Sequence, residues 1–162
     1  MPKQSAGVLM YRRRSGRLEV FLIHPGGPFW AKKDLGAWSI PKGEYTAEET
    51  AEAAAVREFR EETGFNLEGP LHELGVVKQA GGKIVSAWCI EGDCDPADLL
   101  SNTMQMEWPP HSGRRMEFPE VDAGGWFPLA LAREKILKSQ SPLLDMLERD
   151  MMERHLDAGA EF

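Results

Sequence analysis

One stretch of this chain, residues 46–64, carries a strong helix signal and therefore limits how the rest can fold. Thr46 and Glu49 match a capping box, in which a hydroxyl and a carboxylate satisfy the exposed backbone N–H groups at the start of a helix. Alanine-rich sequence follows as far as Thr63, and Gly64 supplies the left-handed residue that commonly ends a helix. The pattern predicts a helix from Thr46 to Thr63.

The packing face of this predicted helix turns acidic toward its C-terminal end. At about 100° per residue, a narrow stripe of small residues runs along one side of the helix: Ala47, Ala51, Ala54 and Ala55. Glu58 and Glu62 continue this stripe, each about 20° from Ala51 on the helical wheel, and Glu61 lies beside them. A helix built only for packing would place apolar side chains here, so the acidic end of the stripe indicates a functional surface.

Glu58, Glu61 and Glu62 share one surface of this helix, with Cβ atoms about 5–6 Å apart. Carboxylates this close repel one another and are costly to desolvate without a counter-charge. A hard divalent cation such as Mg²⁺ or Mn²⁺ supplies that charge, because such ions prefer oxygen ligands. Arg57, four residues before Glu61, is placed to hold one of these side chains. The alternative is a solvated helix end whose charges need no partner.

The spacing of these residues resembles the signature of the Nudix hydrolases, G-x5-E-x7-R-E-U-x-E-E-x-G-U, in which U is apolar. Gly43, Glu49 and the run from Arg57 to Phe65 fill every specified position. The resemblance implies an α/β fold, an α/β/α sandwich with a mixed sheet and a central loop–helix–loop motif. It also implies hydrolysis of a nucleoside diphosphate linked to another group, with Mg²⁺ or Mn²⁺ as cofactor.

The resemblance also implies a role for each matching residue. It assigns the metal ligands to three carboxylates of the helix: Glu58, Glu61 and Glu62. A backbone carbonyl at Lys42 or Gly43 completes the ligand set, Arg57 orients the carboxylates, and Glu49 supports the loop. Gly43 has a physical reason to be glycine, because its backbone must approach metal and phosphate closely.

Members of this family usually carry a further carboxylate outside the motif, acting as a metal ligand or as a base. Glu120, which lies six residues before Trp126, is the first candidate in this chain, followed by Glu117 and Glu107. An exposed loop glutamate is the alternative interpretation for each of the three.

The residues that lead into the motif suggest a substrate class. They read Pro41-Lys42-Gly43, where many family members carry Pro-Gly-Gly. This version resembles the branch that cleaves dinucleoside polyphosphates such as diadenosine tetraphosphate, or diphosphoinositol polyphosphates. Lys42 would neutralise part of a longer polyphosphate chain, and Lys32 and Lys33 would add to it. A local turn and ordinary loop solubility are the alternatives for these lysines.

Two tryptophans in loops are candidates for stacking on a nucleobase. Trp30 lies in a Gly-Pro loop, and Trp108 precedes two prolines. Since most tryptophans in a small domain belong to the core, core packing is the alternative for both. For the whole protein, two other functions stay open: a MutT-type nucleoside triphosphate pyrophosphohydrolase and a nucleotide-sensing module without turnover.

The remaining sequence predicts one domain over residues 1–162, with strands first, then the central helix, more strands and closing helices. The predicted strands are 5–11, 18–24, 38–40, 71–77, 83–90 and 125–127. The closing helices are predicted at 129–137 and 141–155, and a long mobile connection is predicted at 102–115.

Composition and charge exclude several classes of protein. The chain has 162 residues and a formal net charge of −7, so it is a poor general binder of nucleic acid or anionic membranes. No apolar run approaches the roughly 20 residues of a membrane span. Cys89 and Cys94 are expected to be reduced thiols. We therefore expect a cytoplasmic protein, monomer or homodimer, that binds a small-molecule nucleotide and forms no stable nucleic-acid complex.

Overall fold

The computed structural model describes residues 3–157, which contain eight β-strands and three α-helices. The strands are β1 (Gln4–Arg14), β2 (Arg17–Pro25), β3 (Lys42–Glu44), β4 (His72–Lys78), β5 (Ile84–Glu91), β6 (Thr103–Glu107), β7 (Arg115–Pro119) and β8 (Val121–Pro128). The helices are α1 (Ala51–Thr63), α2 (Leu129–Lys135) and α3 (Ser141–Asp157). The prediction of one domain over 1–162 includes residues 1, 2 and 158–162, which lie outside the described residues.

A mixed sheet forms the centre of the molecule. Its strands follow the order β4-β5-β1-β2-β8, and β3 pairs with β1 off this path. β1 runs parallel to β5 and antiparallel to β2 and β3. Side chains of β1 alternate between the two faces, as a strand buried on both sides requires. Val8 and Met10 join one apolar cluster, whereas Leu9 and Tyr11 join the other.

Helices cover both faces of the sheet, which confirms the predicted α/β/α sandwich. On one face α1 packs through small and aromatic side chains, Ala54, Ala55 and Phe59. On the other face α2 and α3 pack mainly through leucines, among them Leu144 and Leu147. Within residues 3–157, every helix is too short or too polar to cross a lipid bilayer.

The predicted start of the central helix is wrong, although its end is confirmed. α1 begins at Ala51, and the N-cap is Thr50, whose hydroxyl accepts the N–H of Ala53 at 3.1 Å. Thr46 accepts only the N–H of Glu48, at 3.4 Å, so no capping box forms there. At the other end Gly64 has φ 79°, the left-handed conformation predicted for it, and its N–H donates to the Arg60 carbonyl.

Two other segments differ from their prediction. Residues 38–40 make single bridges instead of a strand, with Ser39 bonded to Ile23 and Trp38 to Ile136. Pro41 follows directly and has no N–H with which to extend a ladder. Residues 102–115, predicted as a mobile connection, contain β6, the turn after it and the first residue of β7. The prolines and glycine in this segment belong to a hairpin turn.

Candidate active site

The first loop of the motif lies against the C-terminal half of α1 because both pack on β1. The loop forms β3, in which Gly43 pairs with Ala6 of β1. The backbone N–H of Lys42 donates to Oε1 of Glu62 at 2.9 Å. A Cβ added at Gly43 would overlap the carboxyl group of Glu58. The absence of a side chain at this position is therefore a steric requirement of the site.

Arg57 connects the carboxylates of the motif. Its Nε and Nη2 donate to the two carboxylate oxygens of Glu49, at 3.2 and 2.6 Å. Its Nη1 donates to Glu58 Oε1 at 2.8 Å and to Glu61 Oε2 at 3.1 Å. These bonds, with that to Glu49 the largest cause, raise the pKa of Arg57 above its usual value. The guanidinium remains charged and holds three carboxylates in fixed positions.

The carboxylates of Glu58 and Glu62 are partly buried, and nearby positive charge does not fully compensate their negative charge. Desolvation raises the pKa of Glu62 to about 8, and the neighbouring charge of Glu58 adds to the rise, opposed by the hydrogen bond from Lys42. Desolvation likewise raises the pKa of Glu58, and its bond to Arg57 opposes the rise. A carboxylate with a raised pKa is one whose negative charge is poorly compensated by its surroundings.

These residues fit the divalent cation that the motif implies. All candidate side-chain ligands are carboxylate oxygens, which are the donors that Mg²⁺ and Mn²⁺ prefer. The poorly compensated charge at Glu58 and Glu62 and the close backbone at Gly43 both suit a cation. In residues 3–157 no three metal-binding side chains already converge. Instead the carboxylates are held by Arg57 and by the Lys42 amide.

Glu120 lies beside this group, at the junction between β7 and β8. Its backbone N–H donates to the carbonyl of Asn102 at 2.8 Å, and the N–H of Asn102 donates to the Glu61 carbonyl at the same distance. Burial is the larger cause that raises the pKa of Glu120, and the charge of Glu61 adds to it. A carboxylate far away in the sequence thus faces the acidic end of α1.

The other two glutamates proposed for this role have different surroundings. Glu117 is an exposed residue of β7. Glu107, at the end of β6, accepts the backbone N–H of His111 at 2.7 Å and so stabilises the hairpin turn. Glu120 is therefore the better placed of the three candidates.

Lys42 combines a backbone contact with a half-buried side chain. Burial lowers the pKa of Lys42, while the neighbouring Glu62 opposes the change and Lys83 reinforces it. The positive charge of Lys42 thus lies close to the carboxylates rather than free in solvent. Its assignment to substrate binding stays a prediction.

The loop after β2 carries Trp30, Lys32 and Lys33. Nζ of Lys33 lies 3.7 Å from the ring centroid of Phe29 and 5.1 Å from that of Trp30. Lys32 is exposed. The Lys33 carbonyl contacts Nε2 of the buried His24 at 2.6 Å, which anchors this part of the loop to β2. Lys33 and Trp30 thus contact residues of the loop and of β2, and their substrate role stays a prediction.

Trp108 lies at the far end of the β6–β7 hairpin. Its backbone N–H donates to the Arg114 carbonyl across the turn at 2.9 Å, and its side chain is half-buried. The hairpin starts next to the site, because Asn102 at its base bonds to the Glu61 carbonyl. Sequence reasoning missed Asn102, which acts here through its backbone and has no residue-type signal. The predicted stacking role of Trp108 is untested by these contacts.

Comparisons with known proteins agree with this geometry. The family model of the NUDIX domain matches residues 1–147. An Ap4A hydrolase from C. elegans, solved as a binary complex, has 23% identity and a TM-score of 0.64, and the match covers 93% of this chain and 98% of that one. The NUDIX domain of Shewanella oneidensis NrtR, solved with ADP ribose, has 15% identity and a TM-score of 0.64, covering 93% and 89%.

A MutT NUDIX hydrolase from Burkholderia pseudomallei has 22% identity and a TM-score of 0.58, and the match covers 90% of this chain and 98% of that one. No curated protein sequence matches this chain. Because these identities are low, the structural matches show the fold alone. The family match covers most of the chain and includes the whole motif. The chain belongs to the Nudix family and is a hydrolase that acts on phosphoanhydride bonds.

Proposed function

We propose that this protein is a Mg²⁺- or Mn²⁺-dependent pyrophosphohydrolase whose substrate is a dinucleoside polyphosphate such as diadenosine tetraphosphate. The observation that carries the proposal is the carboxylate group at the C-terminal half of α1. Arg57 holds Glu58 and Glu61, and Glu62 lies against the Lys42 amide. Carboxylate oxygens beside a close backbone support this proposal, because a divalent cation held by such oxygens would assist cleavage of a phosphoanhydride.

The metal-binding residues are proposed to be Glu58, Glu61, Glu62 and Glu120, together with the backbone carbonyl of Gly43. A bound divalent cation would neutralise phosphate oxygens, polarise phosphorus and lower the pKa of a water molecule. The absence of a side chain at Gly43 leaves room for the carboxyl group of Glu58 to lie against the backbone of the loop. The assignments of the four residues within the motif follow its positions, whereas Glu120 lies outside it.

The chain's own groups orient the reactants and accept the proton. Arg57, anchored on Glu49, keeps the carboxylates of Glu58 and Glu61 in place before the substrate arrives. The carboxylate of Glu120 is proposed to accept the proton of the attacking water, since burial raises its pKa and so makes it a stronger base. Either role for Glu120, ligand or base, needs the position beside Glu61 that Asn102 provides.

The choice of a polyphosphate substrate is supported by the Pro41-Lys42-Gly43 segment. The ammonium of Lys42 lies close to the carboxylates of Glu62 and Glu58, where the phosphates would bind. The solved Ap4A hydrolase from C. elegans shares the fold over 93% of this chain. Lys32, Lys33 and the aromatic rings of Trp30 and Trp108 are proposed to contact the distal phosphates and a base.

A hydrolysis screen tests this function. The purified protein would be incubated with Mg²⁺ or Mn²⁺ and with diadenosine tetraphosphate, ordinary and oxidised nucleoside triphosphates, ADP-ribose or NADH, and the products separated by chromatography. We expect the tetraphosphate to yield ATP and AMP. If only the nucleoside triphosphates are hydrolysed, with release of pyrophosphate, the protein is a MutT-type enzyme and the proposed substrate is wrong. Nucleotide binding without any turnover would instead indicate a sensing module.

We also propose that residues 1–162 form one domain and that the protein acts in the cytoplasm, as a monomer or homodimer, on a small-molecule nucleotide. The acidic charge of −7 supports a small ligand over a stable nucleic-acid complex. Size-exclusion chromatography with light scattering distinguishes the two oligomeric states.

A further inference from the structure

A groove of about 440 Å³ runs along the outer side of α1, next to the carboxylate group. Its lining consists of five residues of α1 and one residue at the base of the β6–β7 hairpin: Ala53, Val56, Arg57, Arg60, Glu61 and Asn102. The N–H of Asn102 donates to the Glu61 carbonyl, so the hairpin base closes one side of this groove. The groove thus begins at a candidate metal ligand and leads away from it.

The two arginines of this groove have different surroundings. Arg57 is fully engaged, with bonds to Glu49, Glu58 and Glu61. Arg60 is exposed, and its guanidinium has no hydrogen-bond or ion-pair partner among the residues that the structure describes. Arg60 occupies the one position between Arg57 and Glu62 that the family signature leaves without any residue requirement. A role for Arg60 would therefore lie outside the family signature.

The chemistry of Arg60 selects a phosphate as its ligand. A guanidinium presents five N–H donors in a planar fork that matches two oxygens of one phosphate. Apart from Arg60, the segment from Gly43 to Gly64 holds seven glutamates and one arginine, so a free cation in this groove is a local attraction for an anion. Glu61 and Arg60 line the same groove, so a phosphate chain bound at the carboxylate group could extend toward Arg60.

We propose that Arg60 binds a phosphate beyond the two that share the cleaved bond, and so makes the enzyme prefer chains of three or more phosphates. This inference rests on the proposed function and assigns to Arg60 the selectivity for the number of phosphates in the substrate. A purely structural role of Arg60 predicts no change in the preference between substrates. A cation in the last turn of α1 would stabilise the helix dipole and would affect all substrates equally.

The test compares Arg60→Ala and Arg60→Lys with the wild type and with Arg149→Ala. Arg149 is an exposed arginine of α3, so its removal changes the net charge by the same amount at a distant place. Calorimetry in the presence of Mg²⁺ would measure the Kd of inorganic tripolyphosphate and of pyrophosphate for each protein. In parallel, kcat/KM would be measured for diadenosine tetraphosphate and for ADP-ribose.

We expect the wild type to bind tripolyphosphate more tightly than pyrophosphate. Arg60→Ala should reduce this preference about tenfold, the effect of losing a charge-assisted contact. It should reduce the ratio of kcat/KM for the tetraphosphate over that for ADP-ribose by a similar factor. Arg60→Lys, which keeps a positive charge at the end of α1, should recover part of the preference, and Arg149→Ala should match the wild type.

Two results would overturn the inference: a wild type that binds both anions equally, or an Arg60→Ala variant whose preference equals that of Arg149→Ala. A wild type that does not cleave the tetraphosphate would reject the proposed substrate alone. In that case the binding preference of Arg60→Ala still decides whether Arg60 recognises a third phosphate. The two failures are therefore distinguishable.

Discussion

The helices α1 and α3 cover opposite faces of one sheet, yet they pack by different means. α3 contacts its face through large side chains, with Leu143, Leu144 and Leu147 completely buried. α1 buries two alanines, Ala54 and Ala55, alongside a single large ring. Small side chains at a contact allow a helix axis to approach its neighbour more closely.

This difference explains why the carboxylates lie on α1. A helix seated closely on β1 brings Glu58 to the backbone of Gly43 and Glu62 to the amide of Lys42. On α1 packing and chemistry are therefore coupled, since both depend on the distance between helix and sheet. On α3 we expect the apolar contacts to serve stability alone. The two helices should respond differently to substitution.

Removing a carboxylate from α1 should give the largest effect. Glu62→Gln should lower kcat/KM by about a thousandfold, roughly 4 kcal/mol of transition-state stabilisation, because it removes a metal ligand. The melting temperature without metal should stay the same or rise. Glutamine still offers an oxygen to the Lys42 N–H but lacks the charge whose burial raises the Glu62 pKa to about 8. Steady-state kinetics and thermal unfolding measure both effects.

The control for this variant is Glu52→Gln, on the exposed side of the same helix. It removes a carboxylate from the first turn of α1 and should keep the activity of the wild type. Near-full, metal-dependent activity in Glu62→Gln would contradict the assignment of Glu62 as a ligand.

Shortening a leucine of α3 should affect stability alone. Leu147→Ala leaves a cavity in a fully buried position and should lower the free energy of unfolding by about 2–5 kcal/mol. Since the substitution lies on the face of the sheet opposite α1, kcat/KM of the folded protein should change by less than about twofold. Urea unfolding and kinetics on the same preparation provide the comparison. A large loss of activity in the folded variant would show that α3 also positions the site.

Enlarging an alanine of α1 should affect both properties at once. Ala55→Leu forces extra volume into a fully buried contact and should cost about 1–3 kcal/mol of stability. It should also lower kcat/KM, because the helix moves away from β1 and carries Glu58 with it. Leu144→Met on α3, which conserves volume, is the control and should leave kinetics unchanged. If Ala55→Leu lowered stability but left kcat/KM unchanged, the close packing of α1 on β1 would not be needed for catalysis.

The sequence predicted those parts of the fold that local patterns determine. Gly64 marks the end of α1, and the paired apolar runs predict β1 and β2. The predicted start of α1 was wrong because Thr46 and Thr50 are both suitable N-cap residues. The helix begins after Thr50, and the Glu49 carboxylate is engaged by Arg57, eight residues away. A contact across that distance is invisible to a capping pattern.

The candidate site also has one part that the sequence predicts and one part that depends on the tertiary structure. The positions of Arg57 and of the three glutamates in the C-terminal half of α1 follow from helical spacing, so the sequence alone places them on one surface. The position of Glu120 depends on Asn102, whose backbone joins it to Glu61. That connection required β6 and β7 to pair as a hairpin. Two prolines and a glycine in residues 102–115 concealed the hairpin as an irregular connection.

The smallest effect should come from a surface contact on the α2 side of the sheet. Asp34 accepts the Trp38 indole N–H at 2.8 Å and pairs with Lys135 of α2. The bond to Lys135 is the first cause that lowers the pKa of Asp34 below its usual 3.8. A group whose folded pKa is lowered contributes stability above its unfolded pKa and loses it as the pH falls through the folded pKa.

The difference in unfolding free energy between the wild type and Asp34→Asn should therefore be constant above about pH 5 and shrink on acidification. The carboxylate is exposed, so solvent keeps this difference small. Urea unfolding at a series of pH values measures it, and kcat/KM at neutral pH should not change. A stability difference that grew as the pH fell would contradict the sign. A loss of activity would mean that the two faces of the sheet are coupled through Trp38, against the separation argued for α1 and α3.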